Sequence, residues 1–293
     1  MNPFLQRLGY SATDRVVVLH ADDIGMCQST IPAIDNLFNA GIISSAAVMV
    51  PCPWFPAAAD YARRTPQADL GVHTTLTCEW NSLRWGPLST RDSSSGLLDR
   101  EGYFPRSTAE LWAQVDEPAF KAELRTQIEH ALAAGIDMTH IDSHMGAAFE
   151  PRLLGAYIAL AQEYGVPSFL PRMDAELAQR RGLSAEQSDM IIHTQTLLEA
   201  NGIPIFDNMG FMPLDQHQER VAEAKRQLSQ LPPGLTYFIC HPSVDSPELR
   251  AIAADWQARV ADYEAFTSGE LRNFIRDSGI HVVGMRALKQ AMR

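Results

Sequence analysis

The sequence predicts an α/β fold: a TIM-like (β/α) barrel of distorted form, with seven or eight mostly parallel strands. Helical patterns repeatedly end at a glycine that a β-branched residue follows, as at Gly41-Ile42 and Gly135-Ile136, and glycine commonly stands just past a helix C-terminus. The apolar runs that follow are short and continuous, which is typical of parallel strands buried on both faces. Seven or eight such units within 293 residues match the size of one barrel.

Each predicted strand is one of these apolar runs, taken in chain order. The strands are 15–20 (RVVVLH), 42–50 (IISSAAVMV), 70–76 (LGVHTTL), 136–142 (IDMTHID), 166–171 (VPSFLP), 203–206 (IPIF), 235–240 (LTYFIC) and 280–284 (IHVVG). Helical patterns lie between most of them, at 30–40, 56–64, 119–134, 150–164, 185–200, 214–230 and 247–277, the last with a break near Ser268-Gly269. This alternation implies a parallel sheet. An open doubly wound sheet is the alternative, but no G-x-G-x-x-G follows the first strand.

One segment, at about 78–118, interrupts the β/α rhythm. It is rich in Ser, Gly and Arg, and it carries Trp80, Trp85, Tyr103 and Phe104. A loop of this length inside a domain is usually functional or disordered, and the aromatic residues favour an ordered flap over the site. No linker divides the chain, so we predict a single domain, 1–293, with this inserted flap.

Composition and charge exclude several function classes. The formal net charge is −11, and an acidic surface disfavours nucleic acid and anionic membranes as partners. The four cysteines form no C-x-x-C pair, so we expect reduced thiols without a disulfide framework or a zinc ribbon. The sequence carries no signal-peptide segment and no run near the roughly 18 apolar residues of a membrane span. We therefore expect a cytoplasmic protein.

Ionisable and polar side chains stand at the ends of most predicted strands. In a barrel these positions share one rim, where active sites form. The residues are His20, Asp22 and Asp23 at the first strand, His73 in the third, His140, Asp142 and His144 at the fourth, Arg172 after the fifth, Asp207 and Asn208 after the sixth, and His241 after the seventh. We expect these side chains to converge on one site.

Each residue alone has a simpler explanation. Asp22 or Asp23 could cap the helix that follows. His73 or His140 could be a hydrogen-bonded core histidine, and Arg172 could be a surface charge. Together, however, these explanations leave several desolvated groups at one rim, and a buried charge costs several kcal/mol unless it is paired or bound to metal. Carboxylates and imidazoles that converge indicate instead a metal site with positions open for water and substrate.

The chain resembles the YdjC-like carbohydrate deacetylases, also called the chitooligosaccharide deacetylase family. The matching motifs are HADDIG at 20–25, GVHTTLT at 71–77, THIDSH at 139–144, PR at 171–172, CHPS at 240–243 and the closing segment 259–288. Each motif alone is weak, but the ordered set is specific and covers nearly the whole chain.

The resemblance implies a metal-dependent N-deacetylase on a barrel fold, which releases acetate from a small N-acetylated amino sugar or a short N-acetylated oligosaccharide and leaves a free amine. It assigns Asp23, His73 and His144 as metal ligands and Asp22 as the general base. It implies one divalent ion, with zinc or magnesium as first candidates and manganese, cobalt or nickel as alternatives. Family habit also implies a homodimer.

Further roles follow as hypotheses from this assignment. His241 would donate a proton to the leaving amine, and Arg172 would hold Asp22 in place and keep it ionised. Trp80 and Trp85 would stack on a sugar ring or, alternatively, close a dimer interface. The residues expected to orient the ligands from behind are His20, His140 and Asp142.

Two departures from the family pattern lie where substrate would sit. Family members often have S-H-H-H at the second metal histidine, whereas His144 is followed here by Met145-Gly146-Ala147. The loop after His73, TTLTCEWNSLRWGPL, differs from that of the typical chitobiose enzyme. Two rival functions remain open at this point. They are a metal-dependent sugar isomerase or phosphoesterase on the same ligands, and a non-catalytic sugar-binding protein.

Overall fold

Seven strands and thirteen α-helices make up the computed structural model, which describes residues 2–180, 182 and 184–292. The strands are β1 (Arg15–Ile24), β2 (Ser45–Val48), β3 (Leu70–Thr74), β4 (Ile141–Ser143), β5 (Asn208–Phe211), β6 (Gly234–Cys240) and β7 (Ile280–Val282). The predicted domain 1–293 includes four positions outside the described residues, which are Met1, Arg181, Leu183 and Arg293.

The helices alternate with these strands over most of the chain. They are α1 (Pro3–Arg7), α2 (Thr30–Ala40), α3 (Phe55–Arg64), α4 (Thr108–Gln114), α5 (Glu117–Ala133), α6 (Pro151–Glu163), α7 (Ala175–Arg180), α8 (Ala185–Ala200), α9 (Arg220–Ser229), α10 (Pro247–Ile252), α11 (Trp256–Thr267), α12 (Gly269–Asp277) and α13 (Met285–Ala291). None of the helices in the described stretches is both long enough and apolar enough to cross a membrane.

The strands form one parallel sheet in the order β4-β3-β2-β1-β6-β5. β6 pairs with β1 along residues Arg15 to Ala21, and β7 pairs with the first three residues of β1. β2 joins β1 only from His20 onward. β7 and β2 therefore follow each other along one edge of β1, while β6 occupies the other edge.

Two isolated parallel bridges continue the sheet from β4 to β5. Ile141 pairs with Ser168, and Pro171 pairs with Phe206, two residues before β5 begins. With these two bridges, parallel pairing connects β4 back to β5, at the other end of the sheet order. The predicted class, a distorted α/β barrel of parallel strands, is confirmed.

The predicted strands 166–171 and 203–206 are thus reduced to isolated bridges, at Ser168 and Pro171 in the first and at Phe206 in the second. Pro167, Pro171 and Pro204 occupy these two runs, and a proline has no backbone N–H to donate to a neighbouring strand. The long predicted helix 247–277 is three helices, since the chain breaks at 253–255 as well as at the predicted Ser268. The predicted helix 214–230 begins only at Arg220.

The core divides into two layers because successive side chains of a strand point to opposite faces. Val17 and Leu19 of β1 belong to the larger cluster, which packs against the surrounding helices. Val16 and Val18 belong to a smaller cluster with Phe4 of α1, Leu235 and Tyr237 of β6, Phe169, Phe206, and Met285 and Leu288 of α13. The rings of Phe169 and Tyr237 stack at 4.2 Å in this second cluster.

The inserted segment 78–118 packs into the larger core. Trp85, Leu97, Phe104 and Leu111 are all buried there, and the segment contains α4 and one 3₁₀ turn, Ser93–Ser95. The predicted flap is therefore an ordered part of the described structure. All four cysteines of the chain are buried and unpaired.

Gly71 of β3 marks a position where the backbone must approach a side chain closely. A Cβ at residue 71 would overlap the ring of His140, so we expect Gly71→Ala to lower the free energy of unfolding by about 1–3 kcal/mol through overpacking. Gly155, an exposed position of α6, has nothing within 4 Å of a Cβ. Gly155→Ala should raise the free energy of unfolding by about 0.5–1 kcal/mol. Urea unfolding of both variants checks the pair, and equal effects would contradict this packing.

Candidate metal centre

Parallel register brings the polar strand ends together. In the β3–β4 pairing His73 lies opposite Asp142, and in the β1–β6 pairing Ala21 lies opposite Cys240. Asp22 and His241 are therefore the next residues on two neighbouring strands. The rim of the barrel, at the carboxyl ends of β1, β3, β4 and β6, holds the histidines and the first three aspartates of the predicted cluster. The prediction fails for Asp207 and Asn208, which stand at the amino end of β5.

The two adjacent acids separate because the backbone turns between them. Asp23 has φ 64°, in the left-handed region, and the register of β1 against β2 shifts between Ala21 and Ile24. Left-handed backbone is unfavourable for most residues but more tolerable for aspartate. As a result, the Asp22 carboxylate lies 3.1 Å from His20 Nε2, whereas Asp23 is bound 2.7 Å from an Arg259 nitrogen.

Three ligand atoms converge at the rim. Asp23 Oδ1 lies 3.4 Å from His73 Nε2 and 3.2 Å from His144 Nδ1, and the two ring nitrogens lie 3.3 Å apart. All three side chains are buried. The sequence prediction that these residues meet is therefore matched by the geometry, in which each supplies one atom within reach of a single ion.

The opposite nitrogen of each imidazole contacts a carboxylate. His73 Nδ1 lies 2.7 Å from Asp142 Oδ1, and His144 Nε2 lies 3.0 Å from Glu79 Oε2. An ionised carboxylate only accepts hydrogen bonds, so when each ring is neutral, as metal binding requires, the outer nitrogen carries the proton and the inner nitrogen presents a lone pair.

The inner atoms fit a divalent cation. Two nitrogen lone pairs and Asp23 Oδ1, a buried oxygen with no hydrogen-bond partner among the described residues, would repel one another without a positive charge between them. Two imidazoles and one carboxylate are a known ligand set for catalytic zinc and related ions.

The pKa values follow this charge distribution. Burial opposes ionisation of Asp23, but Arg259 and the two histidines outweigh it and hold the pKa of the Asp23 carboxyl well below its usual value. Burial disfavours protonated His144, yet Glu79 and Asp23 raise the pKa of that ring to about 9. Burial likewise disfavours protonated His73, but Asp142 and Asp22 outweigh it and raise the pKa of that ring well above its usual value.

Arg172 requires a correction. The prediction that it holds Asp22 is wrong, because Arg172 pairs with Glu199 and, at 2.9 Å, with Asp207. The bridge between Pro171 and Phe206 directs this part of the chain toward residue 207. The arginine at the acidic pair is Arg259 of α11, which is buried and contacts Asp23.

His241 lies at the edge of the cluster. Its Nε2 atom is 3.8 Å from Asp22 Oδ2, and its side chain is 18% exposed. Burial lowers the pKa of His241 in spite of the nearby carboxylates, so this ring is neutral at pH 7.

His20 and His140 lie below the rim. His20 Nε2 is 3.1 Å from both Asp22 Oδ1 and Asp142 Oδ2, so His20 links the two carboxylates. His140 Nδ1 lies 2.9 Å from the Thr139 hydroxyl, while His140 Nε2 has no partner among the described residues. Both rings are fully buried.

The flap lies against the cluster through its first residues. Trp85 is buried, donates from Nε1 to the Thr77 carbonyl at 2.9 Å, and has its ring 6.5 Å from that of His144. Trp80 packs edge-on against Trp85, and Arg259 stands 5.2 Å over the Trp80 ring. The contacts of these two predicted sugar-binding rings are thus with other residues of the protein, namely Thr77, Arg259 and each other.

Sequence reasoning missed Glu79 and Arg259 as site residues. Both lie within stretches that were noticed for other reasons, the loop after His73 and the closing segment 259–288. Glu79 stands three residues after the predicted strand 70–76, as Asp23 does after 15–20, so this spacing was the available signal for Glu79. Arg259 lies in a predicted helix among other charged residues, where no such signal exists.

Fold and rim together define an α/β barrel with a carboxylate–histidine centre at the carboxyl ends of its strands. The chain belongs to the YdjC-like protein family, whose model matches residues 16–277.

Relatives match along nearly the full chain. A carbohydrate deacetylase of Thermus thermophilus is 32% identical over 292 residues, which is 98% of each chain. A carbohydrate deacetylase of Thermoanaerobacter pseudethanolicus is 25% identical over 275 residues, which cover 94% of this chain and 100% of the relative. A crystal structure from Enterococcus faecalis, of a candidate cellobiose-phosphate cleavage protein, shares the fold with a TM-score of 0.75 at 23% identity, covering 94% and 99% of the two chains.

Buried His140 should make stability depend on pH. Burial lowers its pKa to about 3, whereas the unfolded chain protonates near the ordinary value of about 6.5. The unfolded state therefore binds more protons below pH 6.5, and stability falls as the pH falls toward 3. Between pH 7.5 and 5.0 we expect His140→Gln to lose about 2 kcal/mol less unfolding free energy than the parent protein. Urea unfolding in EDTA measures this difference, and parallel losses would exclude a neutral His140.

Proposed function

We propose that this protein is a metal-dependent carbohydrate N-deacetylase, which hydrolyses the N-acetyl group of a small amino sugar to acetate and a free amine. The relatives named carbohydrate deacetylases support the class of activity. The single observation that carries the metal-dependent hydrolytic reading is the convergence of Asp23 Oδ1, His73 Nε2 and His144 Nδ1 within 3.4 Å of one another.

Asp23, His73 and His144 would hold one divalent ion, for which zinc or magnesium are the first candidates. Such an ion lowers the pKa of a bound water and polarises the substrate carbonyl. The protein's part is to keep the ligands oriented. Asp142 and Glu79 fix the two rings, and Arg259 binds Asp23 Oδ2 while Oδ1 remains directed to the histidines.

Asp22 would act as the general base. Its Oδ2 atom lies 3.8 Å from His73 Nε2, beside the ligand cluster but not in it. Its Oδ1 atom contacts His20, which fixes the direction of the carboxylate. A positioned carboxylate at this distance from the ligands can take the proton of an attacking water.

His241 would carry that proton to the leaving amine. Since the ring is neutral at pH 7, it can accept a proton from Asp22 through one bridging water, or after the two side chains close the 3.8 Å between them to hydrogen-bond distance. The imidazolium can then donate to the amine nitrogen as the C–N bond breaks, which returns both residues to their starting charge.

Asp22 and the three ligands should respond differently to substitution. Asp22→Asn removes the base but no ligand, so we expect a loss of about 10²–10⁴ in kcat with metal still bound. Asp23→Asn, His73→Ala and His144→Ala should lose both activity and metal. Acetate release on a panel of N-acetylated sugars, together with elemental analysis of each purified variant, gives the two readouts.

The same panel separates the rival functions. An isomerase or phosphoesterase would release no acetate from any sugar, and a non-catalytic binding protein would bind sugars without turnover in every metal. Full activity in Asp22→Asn would remove Asp22 as the base, and loss of metal in that variant would make Asp22 a ligand.

Arg259 and Arg172 should differ in their effect on stability. Arg259→Leu leaves buried Asp23 without its arginine, so in EDTA we expect a loss of about 3–5 kcal/mol in unfolding free energy. Saturating zinc should recover part of that loss, because the ion supplies positive charge at the same carboxylate. Arg172→Leu is the matched control, whose loss should not change with zinc. If zinc changed the unfolding free energy of both variants equally, Arg259 would have no specific role at the metal centre.

A further inference from the structure

Glu79 is a partly buried acidic residue, with its side chain 24% exposed, and its place has no counterpart in the sequence prediction. Its Oε2 atom contacts His144 Nε2 at 3.0 Å, and its Oε1 atom is buried without a partner among the described residues. Glu79 does not belong to any group of side chains that could share one ion with Asp23, His73 and His144 among the residues that the structure describes. Its contact with the three ligands is the one to His144.

His144 needs such a partner because a histidine can bind a metal through either nitrogen. The proton resides on one ring nitrogen of a neutral imidazole and leaves the other as the ligand atom. His144 presents Nδ1 to the centre, whereas His73 presents Nε2. The backbone just after His144 is irregular, with left-handed φ at Met145 and Gly146. His144 is therefore not held within a regular strand, as His73 is in β3.

We infer that Glu79 is a positioning residue that holds the Nε2–H tautomer of His144 and thereby makes Nδ1 its metal-binding atom. This inference rests on the proposed metal-dependent function. Asp142 does the equivalent for His73 by accepting from Nδ1. The two ligand imidazoles are thus oriented in opposite senses by two carboxylates, one from β4 and one from the inserted segment.

The inserted segment is fixed at the point where Glu79 leaves it. The Cys78 backbone N–H donates to the Pro105 carbonyl at 2.8 Å, on one side of Glu79. On the other side, the backbone N–H groups of Leu88 and Ser89 donate to the buried carboxylate of Glu123 on α5 at 3.1 and 2.8 Å. These hydrogen bonds fix the inserted segment on both sides of Glu79 and so hold Glu79 beside His144.

The experiment compares Glu79→Ala and Glu79→Gln with the parent protein, using zinc alone as the probe. Outer partners of ligand histidines typically contribute 10- to 100-fold in metal affinity. We therefore expect Glu79→Ala to weaken zinc binding by about 10- to 100-fold in competition titrations. Glu79→Gln keeps an acceptor oxygen and should recover most of the affinity.

Nitrogen-15 NMR of the histidine rings in the zinc-loaded proteins gives a readout independent of turnover. In the parent protein His144 should show a protonated Nε2 and a metal-bound Nδ1, and this pattern should be lost or mixed in Glu79→Ala. Glu110→Ala is the matched control, because Glu110 is an exposed glutamate of the same inserted segment that contacts the Arg106 backbone. It should leave both readouts unchanged.

The outcomes separate the two proposals. Unchanged zinc affinity and an unchanged His144 pattern in Glu79→Ala would overturn the role of Glu79 and leave the deacetylase proposal standing. A parent protein that releases no acetate but shows the expected zinc and tautomer differences would support Glu79 and refute the deacetylase. A parent protein that binds neither zinc nor magnesium, manganese, cobalt or nickel would overturn both.

Discussion

An excess of buried negative charge governs the structure of the barrel rim. Asp22, Asp23 and Asp142 are almost fully buried, and Glu79 lies beside them. Arg259 is the one arginine or lysine that the described residues place within ion-pair distance of these four carboxylates. The remaining charge falls on imidazoles, which is why the pKa values of His20, His73 and His144 are raised although each ring is buried. A divalent cation bound between Asp23, His73 and His144 would meet the same electrostatic requirement.

Regular strands alone could not produce this arrangement, because consecutive side chains of a strand alternate between its faces. The left-handed backbone at Asp23 and the shifted register after Ala21 turn the second acid toward the histidines. A similar irregularity at Met145 follows His144. The first lies in the register shift near the carboxyl end of β1 and the second just after β4, and backbone strain of this kind is concentrated at functional sites. The interior packing of Phe169 against Tyr237 supports the same region from below, since the Tyr237 hydroxyl donates to Asp142 at 3.1 Å.

What the sequence predicted well depends on strand geometry. Apolar runs and glycine boundaries predicted the barrel, and the rule that parallel strands share one rim brought His73, His144 and Asp23 together. The same rule failed at Arg172. The chain before it forms only an isolated bridge between Pro171 and Phe206, and the Arg172 side chain pairs with Glu199 and Asp207. Arg259 could not be predicted in this way, because it reaches the rim from helix α11, whose position depends on tertiary packing that has no short-range pattern. Glu79 follows the predicted third strand, but the rule does not tell which residue of the inserted segment turns toward the rim.

The contacts below the rim join the proposed base to the proposed metal ligands. Asp142 accepts from His73 Nδ1 and lies 3.1 Å from His20 Nε2, which lies at the same distance from Asp22 Oδ1. A proton that arrives on Asp22 therefore weakens the attraction between Asp22 and His20, and it leaves more of the charge of His20 directed at Asp142. Asp142 then interacts less strongly with the proton of His73. Along this buried row of side chains, base and ligand share one carboxylate, so the protonation of Asp22 and the donor strength of His73 are coupled by electrostatics.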